Sequence, residues 1–226
     1  MRISLVGPIS FICLLAICGF AQPNPENWCR GGFFTSDFEK FSFAAARGSK
    51  SKRIYFYNDD RDDCPGNERC RGSAYIIPGN EVVVSKERGG FGCAWFTSQK
   101  GAATVGWVKL GELDFKYTVS DGSPRMWVGE WQYGENSIKI SSDGDEKMLR
   151  IAGNAFWRGL GDNIHIGELD GPAKLIGGVL HYSDGEDEFD CRATLRLAGT
   201  YLIVADNLRC GGANVSFSGV YTRRKK

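Results

Sequence analysis

Histidine is almost missing from this 226-residue chain: His165 and His181 are the only two. A Ser–His–Asp triad or a Cys–His pair needs an imidazole beside its nucleophile. His165 alternates with isoleucine in Ile164-His165-Ile166, and His181 stands in Leu180-His181-Tyr182. Both therefore read as strand residues rather than catalytic bases. A Gly-x-Ser-x-Gly elbow is absent, as are a phosphate-binding loop and a dinucleotide fingerprint. No catalytic residue and no cofactor is expected. Charge of one sign is missing too: the formal net charge is +1. Without a basic field the chain is not a general nucleic-acid binder. The run Arg223-Arg224-Lys225-Lys226 is a short, solvated terminal cluster. Beyond residue 21 no stretch approaches the roughly 20 apolar residues of a membrane helix.

The N-terminus is different. Arg2 precedes an apolar stretch, Ile3 to Ile17, interrupted by Ser4, Ser10 and Gly7-Pro8. Gly19-Phe20-Ala21 then offers small residues at a signal peptidase's spacing, so residues 1–21 read as a secretory signal with maturation at Gln22. Ile17 before Cys18 argues against a lipid anchor. The expected location is periplasmic or secreted, with no membrane contact after cleavage.

Cleavage removes Cys13 and Cys18 and leaves Cys29, Cys64, Cys70, Cys93, Cys191 and Cys210. An even number in an exported chain reads as disulfides. Cys64-x5-Cys70 is not a zinc knuckle, and neither histidine is near a cysteine, so no metal is expected. The run Asn58 to Asp63 lacks the Gly and distal Glu of a calcium loop. Cys93, in Phe91-Gly92-Cys93-Ala94-Trp95, is the tempting thiol nucleophile, but with disulfide partners at hand it reads as structural.

Glycine is plentiful, at 30 residues, and proline scarce, at 7. That balance fits short strands joined by tight turns, an all-β fold. Residues 22–52 are a poorly patterned extension, where Phe34, Phe38 and Phe41 have helical spacing. Gly48 to Lys52 reads as a linker. Residues 53–118 hold short runs, Ile54 to Tyr57, Tyr75 to Ile77, Val82 to Val84, Ala94 to Phe96 and Val105 to Val108, separated by turn residues. They suggest a small barrel. After a turn at 119–124, residues 126–226 hold about eight candidate strands, from Trp127-Tyr133 to Ala213-Thr222, with Asp143-Gly144 and Asp184-Gly185 among the turns. Eight antiparallel strands can close into a barrel. Cys191 and Cys210 flank the Ala198-Gly199 hairpin, and a bridge between them would staple the barrel's end. This second unit is expected to fold alone. The other four cysteines allow three pairings.

Three resemblances follow. Pro78-Gly79 leading into Glu81-Val82-Val83-Val84, with Gly106-Trp107-Val108 closing, resembles a bacterial SH3-like domain. Gly129-Glu130-Trp131 looks like the Gly-x-Trp of lipocalin-like barrels. That resemblance implies a basic residue on the closing strand packed over Trp131, a role open to Arg223. The ending Cys210-Gly211-Gly212-Ala213-Asn214-Val215-Ser216-Phe217-Ser218-Gly219-Val220-Tyr221 is similar to the closing segment of small exported bacterial proteins, some resembling periplasmic lysozyme inhibitors.

Binding is the remaining function. Phe156-Trp157-Arg158-Gly159-Leu160-Gly161 joins Trp, Arg and glycines in an expected loop, and Trp and Arg are enriched in binding hot spots. Trp157 and Arg158 are the candidate anchors. The resemblance and compartment imply a binding protein that inhibits or neutralises a cell-wall-degrading enzyme, as a lysozyme inhibitor or toxin immunity protein. The alternative is a module for peptidoglycan peptide or a small apolar ligand. The expected partner is a protein, a peptidoglycan hydrolase or toxin.

Overall fold

Two burial patterns divide the strands. In the strands of residues 136–183 buried and exposed residues alternate; at residues 82–85 and 91–95 every residue is buried. The first pattern marks strands covered on one face, the second strands covered on both. The computed structural model describes residues 28–35, 41–116, 123–142, 144 and 147–224. The signal segment lies outside these.

Eight strands form the barrel, most of them alternating: β8 (Gly129–Tyr133), β9 (Asn136–Ser142), β10 (Met148–Arg158), β11 (Ile164–Ile176), β12 (Val179–Ser183), β13 (Arg192–Ala198), β14 (Tyr201–Asp206) and β15 (Gly219–Arg223). They pair antiparallel in chain order, and β15 closes on β8. The interior is filled by side chains, among them Trp127, Trp131, Leu149, Leu195 and Phe217, all essentially inaccessible. The expected last strand, Ala213 to Thr222, starts only at Gly219. The residues before it form a turn at Asn214, whose φ is 65°.

Closure is short, two paired positions at Thr222–Gln132 and Arg223–Trp131. Arg223 reinforces it. Its guanidinium sits 4.4 Å from the Trp131 ring centroid and donates to the carbonyls of Val128 (2.6 Å) and Met126. A Cβ at Gly129 would run into that guanidinium, and the Gly129 φ of 148° suits glycine. Hydrogen bonds from a charged donor contribute about 1.5–3 kcal/mol. Arg223→Ala is expected to lower stability by about that much in urea unfolding. Arg223→Lys should recover part of it, because an ammonium lacks the two-armed fork.

Seven further strands, β1 (Ser42–Ala46), β2 (Ile54–Tyr57), β3 (Arg71–Ile76), β4 (Glu81–Arg88), β5 (Phe91–Thr97), β6 (Ala103–Lys109) and β7 (Leu113–Lys116), form an antiparallel sheet. Their order is β3-β2-β6-β5-β4-β1-β7. All seven contribute to one apolar cluster, from Ala44 and Ile54 to Leu113, with no residue from elsewhere. The sheet therefore curves over its own inner face. Strand β1 sits between β4 and β7, so residues 42–46 belong to the sheet and Gly48 to Lys52 is an internal turn. Among the described residues of the phenylalanine segment, a helix forms at α1 (Gly31–Phe34). Phe38 lies outside the described residues, and Phe43 is on β1.

The outer face of the sheet meets the outer face of the barrel. One cluster joins Phe34, Phe43, Val83 and Trp95 to Tyr201, Ile203 and Val220. Trp95 stands edge-on to Tyr133 at 5.2 Å, and Phe43 lies 6.0 Å from Tyr201. Disulfides complete the frame: Cys29–Cys93 pins the segment before α1 to β5, Cys64–Cys70 closes a local loop, and Cys191–Cys210 staples the barrel.

Candidate functional site: the β10–β11 hairpin

Strands β10 and β11 pair from Met148–Lys174 to Arg158–Ile164. Their neighbours stop earlier: the β9 ladder ends at Asn154, and the β12 ladder begins at Ala173. The hairpin therefore runs past the barrel's body. Its period of two sends Phe156, Ile164 and Ile166 outward, where they are 36%, 45% and 52% exposed. Leu160 at the tip is 98% exposed. Phe156 lies directly across from Ile166, so these side chains form one apolar stripe rather than scattered contacts.

Trp157 and Arg158 are the last two residues of β10, not loop residues. Trp157 turns inward. It packs against the barrel core and lies 5.1 Å from the His165 ring. Arg158 points outward and donates to Glu135 at 2.7 Å. That bond holds the Glu135 carboxyl below the usual carboxylate range. The sign follows: the tie is intact at neutral pH and is lost as pH falls through the lowered value. The sequence anchors thus brace the hairpin, and Phe156, Leu160, Ile164 and Ile166 present the surface. Strand alternation from the inward Ala155 and Trp157 would have revealed them, had β10 been carried to its true end.

Polar ties hold the projecting half upright. The buried Asn136 accepts from the Phe156 N–H at 3.0 Å and donates to the Ser216 carbonyl at 3.0 Å. His165 Nδ1 lies 2.5 Å from the Ala213 carbonyl. Gly211 bridges to Gly167, and the Gly212 N–H donates to the Ile166 carbonyl at 3.2 Å. A Cβ on Gly211 would stand 2.6 Å from the Gly167 Cα, so both residues must be small there. The Cys210-Gly211-Gly212 motif is therefore a plug across the barrel mouth, with Val215 and Phe217 driven inward.

Asp206, which the sequence did not single out, fixes that plug. Its carboxylate accepts from the Phe217 N–H (2.6 Å), the Leu208 N–H (3.3 Å) and the hydroxyls of Ser216 (2.9 Å) and Ser218 (3.0 Å). Burial pushes the nearby Tyr221 phenol well above its ordinary value, and its hydroxyl donates to the Phe217 carbonyl at 2.8 Å.

The other chemical candidates resolve into structure. Cys93 is bonded to Cys29 and is no thiolate. Asp59 is buried, accepting from the Cys29 N–H and from Arg30, and so anchors the N-terminal segment. Asp63, Cys64 and Cys70 lie close enough for a metal, but the two sulfurs are bonded to each other. His181 is exposed on β12. Among the described residues no helix is long and apolar enough to cross a membrane. No family model, curated protein or solved structure matches the chain.

Proposed function

We propose that the protein is an exported inhibitor that seats the β10–β11 hairpin in the cleft of a cell-wall-degrading enzyme, as a lysozyme inhibitor or a toxin immunity protein. The observation that carries this is the projecting hairpin, whose outer face is apolar and whose base is braced. A convex, rigid element with exposed Phe, Leu and Ile suits a concave partner, because ordering entropy is spent in advance. The apolar centre is bordered by Arg158, Glu135 and Asp162, the core-and-rim composition of protein interfaces. Three disulfides fit an oxidising compartment. We keep the lipocalin-like reading of the barrel, which the Arg223–Trp131 contact supports, and the SH3-like reading of the sheet, which rests on its Gly-Trp-Val strand.

The test is inhibition of purified muramidases and amidases by the oxidised mature chain. Leu160→Asp combined with Phe156→Ser is expected to weaken inhibition by about 30-fold or more, some 2 kcal/mol, while melting hardly moves. Trp157→Ala should do the reverse: it removes a core contact and costs about 2–4 kcal/mol of stability. An undiminished inhibitor after the double change would remove the hairpin from the mechanism. Cleavage of peptidoglycan by the protein itself would remove the inhibitor reading.

A further inference from the structure

On β2 and β3, outside the barrel, the sheet carries a row of four side chains with no role in the docking just described. The Arg53 guanidinium lies 4.7 Å from the centroid of the Tyr75 ring, and Arg71 lies 5.0 Å from that of Tyr55. The two tyrosine rings meet at 5.9 Å. Register builds the row: Tyr55 stands directly across from Tyr75, Arg53 is two residues before Tyr55, and Arg71 pairs near the other end of β2. Arg71 approaches Glu68 only loosely, at 3.9 Å, with both side chains more than half exposed. Among the described residues no carboxylate stands against Arg53. The rings thus hold two guanidinia in place; Arg71 keeps only its loose contact to Glu68, and both side chains retain donors for a further partner.

The same strand is a free edge. Strand β3 ends the sheet and pairs only with β2. Its alternate N–H and C=O groups face away from β2, where among the described residues no strand lies. Between Arg71 and Tyr75 it holds only Gly72, Ser73 and Ala74, so nothing bulky bars an incoming backbone. Edge strands that must stay single are usually protected by lysine, proline or a covering element. Strand β3 carries Arg71 and a register irregularity against β2, but among the described residues no lysine, proline or covering strand.

We propose that this edge binds an extended acidic peptide as an added strand. The main-chain groups of β3 give the pairing, and carboxylates at alternate positions of the peptide reach Arg71 and Arg53. Charge selects the occupant. A second copy of this edge would bring cations towards cations, whereas a carboxylate-bearing strand meets both guanidinia. A phosphate or sulfate polymer would satisfy the guanidinia but leave the edge amides unpaired.

The test uses the intact oxidised protein and a fluorescently labelled eight-residue peptide of alternating glutamate and threonine, read by anisotropy. Saturable binding is expected, weakening with salt. It should fall at least about ten-fold with Arg53→Gln and Arg71→Gln together, since both charge-assisted contacts to the peptide carboxylates are then lost. N-methylation of alternate amides on the peptide should weaken it comparably, and that arm needs no change to the protein's fold. Several results overturn the proposal: no saturable binding, equal binding of a lysine–threonine peptide, N-methylated peptide binding as tightly as its parent, or a dimer that excludes the peptide.

Discussion

Ile203→Glu is expected to unfold the barrel and the sheet together, with a loss of more than about 4 kcal/mol. Ile203 is on β14 and wholly inaccessible, yet it points out of the barrel. Its neighbours Leu202 and Val204 fill the interior; Ile203 instead stands beside Val220 in the junction cluster that holds Phe43 and Trp95 of the sheet. A carboxylate placed there would be buried among apolar groups, and would either stay charged at a cost of several kcal/mol or take up a proton. Ala152→Glu, on the solvent-facing side of β10, is the matched control and should stay within about 0.5 kcal/mol. Urea unfolding followed by tryptophan fluorescence and by far-UV dichroism should give one coincident transition for the parent chain. The junction also bears on the isolated barrel. In a 126–226 fragment Tyr201, Ile203 and Val220 would be stripped, each losing about 1.5–3 kcal/mol of burial. That sum rivals the 5–15 kcal/mol net stability of a typical domain. The fragment is therefore expected to self-associate or to unfold at low urea. A monomeric fragment as stable as the whole chain would show the junction to be a passive contact.

This junction is also where the sequence is least readable. The barrel could be read because its strands are buried on one face: the alternation through Leu149, Ile151 and Ala155 is plain, and glycine or Asp-Gly turns separate the strands. The end of β10 was missed because Gly159 and Gly161 sit just beyond Trp157, and glycine there reads as loop. In β4 and β5, burial on both faces erases alternation. Val82-Val83-Val84 sends its middle residue to the junction and the outer two to the curved core, a division the run itself does not mark. Strand β1 was missed for a related reason. Ser42-Phe43-Ala44-Ala45-Ala46 is alanine-rich, with weak strand propensity, and only its place between β4 and β7 makes it a strand. The surface of the hairpin was half visible: Trp157 and Arg158 marked the place, while the period of two decides which side chains face a partner.

Asp206→Ala is expected to release the plug and, through it, the hairpin. Four donors converge on this carboxylate, and the Phe217 N–H at 2.6 Å is the shortest. Losing the acceptor leaves two amides, of Phe217 and Leu208, and two hydroxyls to find new partners. Bonds of this kind contribute about 1.5–3 kcal/mol each, but they act as one network, so a total on the order of 3 kcal/mol is expected rather than their sum. Asp206→Asn should lose less. It keeps one carbonyl oxygen but turns an NH2 towards a donor. The position of the damage separates this account from general destabilisation. Hydrogen exchange should accelerate at Phe217 and at Gly212, whose N–H meets the Ile166 carbonyl, while amides in β4 and β5 stay protected. The Cys191–Cys210 bridge anchors the plug's other end and is itself worth about 2–5 kcal/mol. Breaking that bridge in the Asp206→Ala background should cost less than breaking it alone, because both changes free the same segment. A loosened plug no longer meets Ile166, His165 or Asn136, so the outer stripe of Phe156, Ile164 and Ile166 loses its fixed base. Inhibition should then weaken although no residue of the stripe has changed. If the Phe217 and Gly212 amides stay protected in Asp206→Ala, the carboxylate does not hold the plug, and the mechanical link from plug to hairpin fails with it.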